Sequence, residues 1–100
     1  MIVYIAGPLK GNIAQNINDT IYFADQVIGK GHTPYVPHTT HLWDLISPRP
    51  AEFWYEYDKI FLAKCDCVLR LFGASTGADG EVRLANELGI PVYLSVEDLP

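Results

Sequence analysis

Residues 2–8 read Ile2-Val3-Tyr4-Ile5-Ala6-Gly7-Pro8, and they indicate the class of fold. The first five form a continuous apolar run rich in β-branched side chains, which is typical of a strand buried on both faces of a parallel sheet. The glycine and the proline that follow favour a turn, so we expect the strand to end at residue 6. A parallel neighbour needs a crossover connection, and the rest of the chain has the pattern to supply several.

The remaining sequence alternates between helical and extended patterns. Apolar residues recur with helical spacing after Asn12, a good capping residue, and stop at Gly29 and Gly31, which predicts a helix over residues 13–28. The other predicted elements are, in chain order, strand 33–36, an irregular loop 38–50, helix 52–64, strand 67–72, a glycine-rich turn 73–80, helix 81–88 and strand 90–94. Alternating strands and helices are joined by crossovers, so we predict an α/β domain with a four-stranded parallel sheet. Ligands of such sheets bind at the carboxyl ends of the strands.

Length and composition narrow the class of protein. The chain has 100 residues, of which 49% are hydrophobic and 19% are charged, so we expect a single domain over residues 1–100 with a well-formed core. The 12 acidic side chains outnumber the 7 Lys and Arg side chains, and the net charge of −5 argues against a nucleic-acid polymer as partner. Apolar runs are far shorter than the roughly 20 residues that span a bilayer, and no secretory signal is recognisable, so no membrane partner is expected.

The two cysteines bear on the cellular compartment and on metal binding. Cys65 and Cys67 are two residues apart, a spacing that is unsuited to a mutual disulfide on one strand. A reducing cytoplasm is therefore expected. The same spacing is a poor geometry for a zinc site that would also use His38 and His41. We expect no metal, and the chemistry considered below needs no organic cofactor.

Glu81 is the most informative carboxylate. It follows the glycine-rich turn at the first turn of a predicted helix, where the helix dipole favours a charged carboxylate by about 0.3–1 kcal/mol. We therefore expect Glu81 to be ionised at neutral pH and able to act as a nucleophile. The turn matches neither the P-loop nor the dinucleotide motif, but amides near Gly77 and the Ser75 hydroxyl can bind an anion. By spacing alone, a surface glutamate after a plain strand-to-helix turn explains these residues at least as well.

Three further side chains are candidates for the same edge of the sheet. Asp58 lies inside a predicted helix, where Asp is unfavourable, and would supply a second carboxylate beside Glu81. Tyr4 lies inside the first strand, and its hydroxyl needs a partner such as Glu81. Lys10 is the only cation in the first loop and can meet a phosphate. A solvated helix face, a core tyrosine and a solvated lysine are the simpler alternatives.

Aromatic residues gather in and after the long loop. His38, Trp43 and Trp54 can form a wall against which a flat base stacks, although packing explains each of them as well. Trp54 and Tyr55 on the helix of a small domain also suit an interface between copies of the chain. We therefore expect a homo-oligomer, in the first instance a dimer.

Several motifs taken together resemble one enzyme superfamily, and the resemblance covers nearly the whole chain. They are Tyr4-Ile5-Ala6-Gly7-Pro8-Leu9-Lys10-Gly11, Gly31-His32, Asp58 eight residues before Asp66, Ser75-x-Gly77-x-x-Gly80-Glu81, and Leu88-Gly89-Ile90-Pro91-Val92. Their order and spacing resemble the nucleoside 2-deoxyribosyltransferase-like superfamily, which includes the deoxynucleoside 5′-monophosphate N-glycosidases.

The resemblance implies a flavodoxin-like, three-layer fold and cleavage of the N-glycosidic bond of nucleosides or nucleotides. It implies that Glu81 is the nucleophile, that Asp58 assists it and that Tyr4 orients it. Ser75 matches the serine that holds the 5′-phosphate in the nucleotide hydrolases of this superfamily, where the transferases carry a carboxylate. The resemblance thus favours a nucleotide substrate.

The first loop and the chain end depart from the superfamily pattern. Pro8 replaces a phosphate-binding serine, Lys10 replaces an arginine, and Asp79 adds negative charge near the proposed phosphate site. Relatives continue beyond the position of Pro100, and a neighbouring subunit's residue closes their site, so we expect a more open pocket or a different dimer here. Amides of the loops at Gly7 and Gly77 are expected to hold the 5′ end with Ser75.

These residues predict a nucleotide or nucleoside N-glycosidase. Three alternatives stay open at this point: a 2-deoxyribosyltransferase that moves deoxyribose between bases, a non-catalytic nucleotide-binding module, and a flavin-binding electron carrier suggested by sheet topology alone.

Overall fold

The computed structural model describes residues 1 to 100, which form four short strands and four helices, with two of the helices between the second and third strands. The strands are β1 (Ile2–Ala6), β2 (Thr33–Tyr35), β3 (Cys67–Arg70) and β4 (Val92–Tyr93). The helices are α1 (Ile13–Gly29), α2 (Thr40–Ile46), α3 (Ala51–Leu62) and α4 (Thr76–Glu87). All strands are parallel and lie in the order β2-β1-β3-β4, so the predicted four-stranded parallel sheet is confirmed. This is the strand order of flavodoxin-like folds.

Helices cover both faces of the sheet, which makes three layers. Because neighbouring residues of a strand point to opposite faces, Val3 and Ile5 pack with Val27 of α1. Tyr4 packs on the other face, with Leu62 of α3 and small residues of α4. From Val3 to Ala6 the apolar run of β1 is thus buried on both sides, as expected for a central parallel strand, and only Ile2 is exposed.

The segment 38–50 differs from the irregular loop predicted for it. A 3-10 turn at Pro37–Thr39 leads directly into α2. The hydroxyls of Thr39 and Thr40 donate to the carbonyls of Val36 and Pro37 at 2.8 and 2.9 Å, and these hydrogen bonds stabilise the helical turn. The helix was missed because it buries none of its own residues, so its apolar side chains carry no amphipathic signal.

The last helix begins at Thr76 and not at Glu81 as predicted. Ser75 is its N-cap, and the Ser75 side chain accepts a hydrogen bond from the Ala78 amide at 3.0 Å. Two glycines that indicated a turn, Gly77 and Gly80, lie inside the helix. The cap and the burial of Ala78 outweigh the cost of about 1 kcal/mol for each interior glycine.

Strands β2, β3 and β4 are shorter than predicted, because a strand ends where its partner ends. The last pair between β1 and β3 joins Ala6 to Arg70, and only the Leu71 amide reaches one step further, at 2.8 Å from the Ala6 carbonyl. Strand β4 lies at the edge and begins after Pro91, which lacks an amide hydrogen.

Two observations concern the surface. None of the helices has the length and apolar character needed to cross a bilayer. Helix α2 leaves Leu42, Leu45 and Ile46 exposed. The expectation of a dimer stays a prediction.

Candidate active site

A cavity of about 510 Å³ opens at the carboxyl edge of the sheet. Its lining includes residues 7–10 after β1, His38 after β2, and residues 74–78 after β3. Asp58 of α3 and Glu81 of α4 also line it. The loops after the two central strands meet here, where flavodoxin-like sheets bind their ligands.

Tyr4 and Glu81, 77 residues apart in sequence, are joined directly in the fold. The Tyr4 side chain is wholly buried, and its hydroxyl donates a hydrogen bond to Oε2 of Glu81. Burial, together with the neighbouring carboxylates, raises the pKa of the Tyr4 phenol far above its ordinary value. The phenol therefore keeps its proton and acts as a fixed donor that holds one oxygen of Glu81.

Asp58 reaches the same cavity from α3. Its Oδ1 accepts a hydrogen bond from the Tyr35 hydroxyl of β2 at 3.3 Å. Burial raises the pKa of Asp58 to about 7, and the Tyr35 hydrogen bond opposes that rise. Asp58 is thus a carboxyl group that can hold or release a proton near neutral pH.

Burial also raises the pKa of Glu81 to about 7; the Tyr4 hydrogen bond and the Arg70 charge oppose the rise, and Asp58 adds to it. The helix dipole is therefore not what sets the charge of Glu81, whose pKa of about 7 leaves both the charged and the neutral form populated near neutral pH. Glu81 lies beyond the first turn of α4, where the dipole has faded, and desolvation outweighs it.

The two carboxyl groups titrate as a pair, and their surroundings differ. Glu81 accepts a hydrogen bond from Tyr4 and lies in the positive field of Arg70, which both favour its charged form. Asp58 has the Tyr35 hydrogen bond alone. Since both pKa values lie near 7, the two groups share their protons near neutral pH and titrate together.

The start of α4 presents donors to the cavity. Ser75, Thr76 and Gly77 line it, and Ser75 Oγ, which accepts from the Ala78 amide, keeps its own O–H free to donate. A Cβ atom at Gly77 would lie 3.4 Å from the Tyr55 ring, an ordinary van der Waals contact, so the Tyr55 ring lies directly beside the start of α4.

His38 holds the loop that follows β1 through hydrogen bonds to its backbone. It is buried, and its Nε2 donates to the carbonyls of Gly7 and Pro8 at 3.1 and 3.0 Å. Burial lowers the pKa of the imidazole, so the neutral ring is favoured. All three residues line the cavity, as does Lys10, which is the cation of this loop.

The aromatic residues separate into those that line the cavity and those that lie behind it. Trp54 and Tyr55 line it, whereas Trp43 is not part of the lining. Trp43 packs edge-on against Trp54, with ring centroids 5.3 Å apart. Asp44 Oδ1 accepts from the Trp54 indole at 2.7 Å, and Arg49 lies over three of the rings.

A family model described as a domain of unknown function, DUF7768, matches residues 1–95. The chain belongs to the DUF7768 family. No curated protein matches it significantly in sequence.

The chain is similar in structure to a 2-deoxyribosyltransferase from the psychrotolerant bacterium Bacillus psychrosaccharolyticus. The TM-score is 0.72 at 19% sequence identity, and the match covers 92% of this chain and 69% of that one. At this identity the likeness concerns the fold, and it agrees with the flavodoxin-like order of the strands.

Arg70, at the carboxyl end of β3, is the main residue that the sequence reasoning missed. Its guanidinium donates to the Gly73 carbonyl at 2.9 Å and to Asp79 at 3.1 Å. Asp79 does not line the cavity, and its charge is paired with Arg70. The negative charge that the sequence adds near the loop after β3 is therefore paired with a cation. The signal in the sequence is a single cation at the carboxyl end of a buried strand, which indicates a residue that balances negative charge at that edge of the sheet.

Metal binding has no support in the arrangement of side chains. No group of three or more His, Cys, Asp or Glu side chains is placed to hold a metal ion. Cys65 and Cys67 are free thiols.

Proposed function

We propose that this chain cleaves the N-glycosidic bond of a nucleoside 5′-monophosphate or a nucleoside, with Glu81 as the nucleophile. The observation that carries the proposal is the pair of carboxyl groups, Glu81 and Asp58, in one cavity at the carboxyl edge of the sheet. Each accepts a hydrogen bond from a tyrosine, and burial brings both pKa values near neutrality. The likeness of the fold to a 2-deoxyribosyltransferase supports the same class of chemistry.

The reaction takes two displacements. The Glu81 carboxylate attacks C1′ of the sugar while the C1′–N bond breaks, and the base leaves with the proton of Asp58. This forms a glycosyl ester on Glu81 and leaves Asp58 ionised. In the second displacement a water oxygen attacks C1′ and Asp58 takes a proton from that water. The ester bond breaks, so Glu81 is again a carboxylate and Asp58 is again protonated.

The start of α4 is the proposed site for the 5′ end of the substrate. The Ser75 hydroxyl and the amides near Gly77 donate to anionic oxygens, and α4 directs its positive end there. Lys10 adds a charge-assisted donor, with Gly7 and Pro8 shaping the loop around it. Since Arg70 neutralises Asp79, this arrangement favours a 5′-phosphate over a 5′-hydroxyl.

The cavity walls are the proposed boundaries for the base. Trp54 supplies an aromatic face, and buried His38 supports the opposite loop. Trp43 acts in this proposal through its contact with Trp54 and not as the wall itself.

Transfer of deoxyribose to a second base is the competing function, and the match to a 2-deoxyribosyltransferase favours it. The same glycosyl ester serves both reactions, and they differ in whether water or a base attacks it. Adding a second free base and searching for a new nucleoside separates them.

A mass-spectrometric screen of nucleosides and their 5′-monophosphates for released free base tests the proposal. We expect release from at least one monophosphate by the wild-type chain and none by Glu81→Gln prepared in parallel, which controls for contaminating enzymes. Binding in a thermal-shift assay without release of base from any compound would overturn the enzymatic proposal in favour of a nucleotide-binding module.

A further inference from the structure

Tyr35 is placed beside the two carboxyl groups, although no sequence motif pointed to it. It lies on β2, and its Cα pairs in register with that of Tyr4 on β1. Its ring stacks between Tyr4, at 5.5 Å between centroids, and Phe61 of α3, at 5.0 Å. The phenol is thus fixed on both sides, and its hydroxyl meets Oδ1 of Asp58 at 3.3 Å.

Two adjacent strands therefore present two phenols at the same register. Paired residues of parallel neighbours point to the same face, so both hydroxyls extend toward the helices that carry the acids. The Tyr4 hydroxyl donates to Glu81 of α4, and the Tyr35 hydroxyl donates to Asp58 of α3. Each carboxyl group has its own tyrosine donor.

We propose that Tyr35 is the positioning residue of Asp58, and that its hydroxyl directs the transferable proton of Asp58 to the oxygen that Tyr35 does not contact. The assignment of that proton to a leaving base rests on the proposed function. The hydrogen bond itself does not.

The chemistry of the bond supports this assignment. Burial and the nearby Asp58 carboxylate raise the pKa of Tyr35, so the phenol stays protonated and can only donate to a carboxyl oxygen. Oδ1 is occupied by that donor, which leaves Oδ2 as the place for the acid proton. A bent or rotated carboxyl would lose the bond, so the stacked ring also restrains the side-chain rotamer of Asp58.

The bond also adjusts the proton affinity of Asp58. Burial raises the pKa of Asp58, and the hydrogen bond from Tyr35 lowers it. The other titratable groups that face this pair are Tyr4 on β1, Glu81 on α4, and Tyr57 and Cys65 on the α3 side. None of these groups donates a hydrogen bond to Asp58, so Tyr35 is the one whose removal acts on Asp58 through a lost donor.

Tyr35→Phe tests the inference, because it keeps the ring stack and removes the hydroxyl. We expect the titration midpoint of the Asp58 carboxyl, followed by carbon-13 NMR and assigned with Asp58→Asn, to rise by about one pH unit. Tyr57→Phe is the matched control, since Tyr57 belongs to the same aromatic cluster without a hydrogen bond to either acid, and it should leave the midpoint unchanged. An unchanged midpoint in Tyr35→Phe, or an equal rise in Tyr57→Phe, overturns the inference.

The kinetic readout separates this inference from the proposed function. If base is released, the basic limb of the kcat/KM profile should move to higher pH in Tyr35→Phe, and Tyr35→Phe should have no further effect on kcat in an Asp58→Asn background. Additive losses would place the effect of Tyr35 elsewhere and overturn the inference. If the wild-type chain releases no base, the proposed function fails, and the NMR midpoint still decides the role of Tyr35.

Discussion

The two walls of the cavity are built from different interactions. The inner wall, formed by the ends of β1 and β3 and the start of α4, is held by hydrogen bonds: Tyr4 to Glu81, Arg70 to Gly73, and the Ser75 cap. The outer wall, formed by α2 and the first half of α3, is held mainly by aromatic rings that pack edge to face, with one side-chain hydrogen bond from the Trp54 indole to Asp44. Trp54 is its main contact with the cavity.

In the proposed function, this difference gives the two walls different roles: the inner wall positions the reacting group, and the outer wall shapes the space for the substrate. Hydrogen bonds have narrow geometry, so the inner wall restricts the position of Glu81, the proposed nucleophile. Aromatic packing is less directional, so the outer wall provides a contact surface and does not fix the position of a single atom. Changes in the inner wall should therefore reduce turnover, and changes in the outer wall should mainly reduce affinity.

The largest effect is expected from Glu81→Gln. The amide keeps the shape and can still accept from Tyr4, but it cannot form the glycosyl ester. We expect base release to fall by at least about 10³-fold, measured by chromatography of free base. Glu87→Gln, at an exposed position of the same helix, is the control and should retain wild-type turnover. Substantial release by Glu81→Gln would refute its role as nucleophile.

The second effect concerns the 5′ end. In Ser75→Asp the carboxylate still caps α4, because Asp is as good an N-cap as Ser, but it repels a phosphate and cannot donate to it. We expect kcat/KM for a nucleoside 5′-monophosphate to fall about 10²-fold more than for the matching nucleoside. Ser75→Thr keeps both hydroxyl and cap and is the control. Equal losses for the two substrates would show that Ser75 does not contact the phosphate.

The third effect is on the pH dependence of stability. The pKa values of Glu81 and Asp58 are raised to about 7 in the folded chain. The folded state therefore binds more protons than the unfolded state between about pH 4 and 7, and this pair lowers stability as pH rises through that window. His38, whose pKa is lowered, acts in the opposite direction, so the comparison must be with a variant.

Urea unfolding at pH 5 and pH 8 measures this effect. The double variant Asp58→Asn with Glu81→Gln should gain stability relative to wild type at pH 8 compared with pH 5. Glu81, the more deeply buried of the two, should account for about 2 kcal/mol of that gain. The same difference at both pH values would mean that the two groups keep ordinary pKa values in the folded chain.

The smallest effect is expected in the outer wall. Trp54→Ala should raise KM roughly 10-fold by removing a stacking face, with kcat nearly unchanged. Tyr22→Ala is the control, because Tyr22 is an exposed aromatic residue of α1 outside the cavity. If the two variants raise KM equally, the base does not stack on Trp54.

The sequence alone predicted the sheet and the acids at its carboxyl edge, but it did not predict the outer wall or the start of α4. The buried run of β1, with Tyr4 inside it, and the alternation of strands and helices predicted a parallel sheet with a site at its carboxyl edge. Helix α2 was missed because it buries nothing, and the start of α4 was misplaced because Gly77 and Gly80 resemble a turn. Trp43 was predicted at the cavity because spacing does not distinguish the rings that line it from those behind.

The sequence by itself determines the interactions between near neighbours in the chain, which are the apolar runs, the turns and the helix caps. Ser75, for example, caps α4 by accepting a hydrogen bond from the amide of Ala78, three residues further on. The charge states of the two acids depend on the folded arrangement. Tyr4 lies 77 residues from Glu81, and Tyr35 lies 23 residues from Asp58, yet these pairs and the surrounding burial set the pKa values of both acids. Desolvation and Coulomb energies depend on distances in space and exposure to water, so they arise when the sheet and helices pack together.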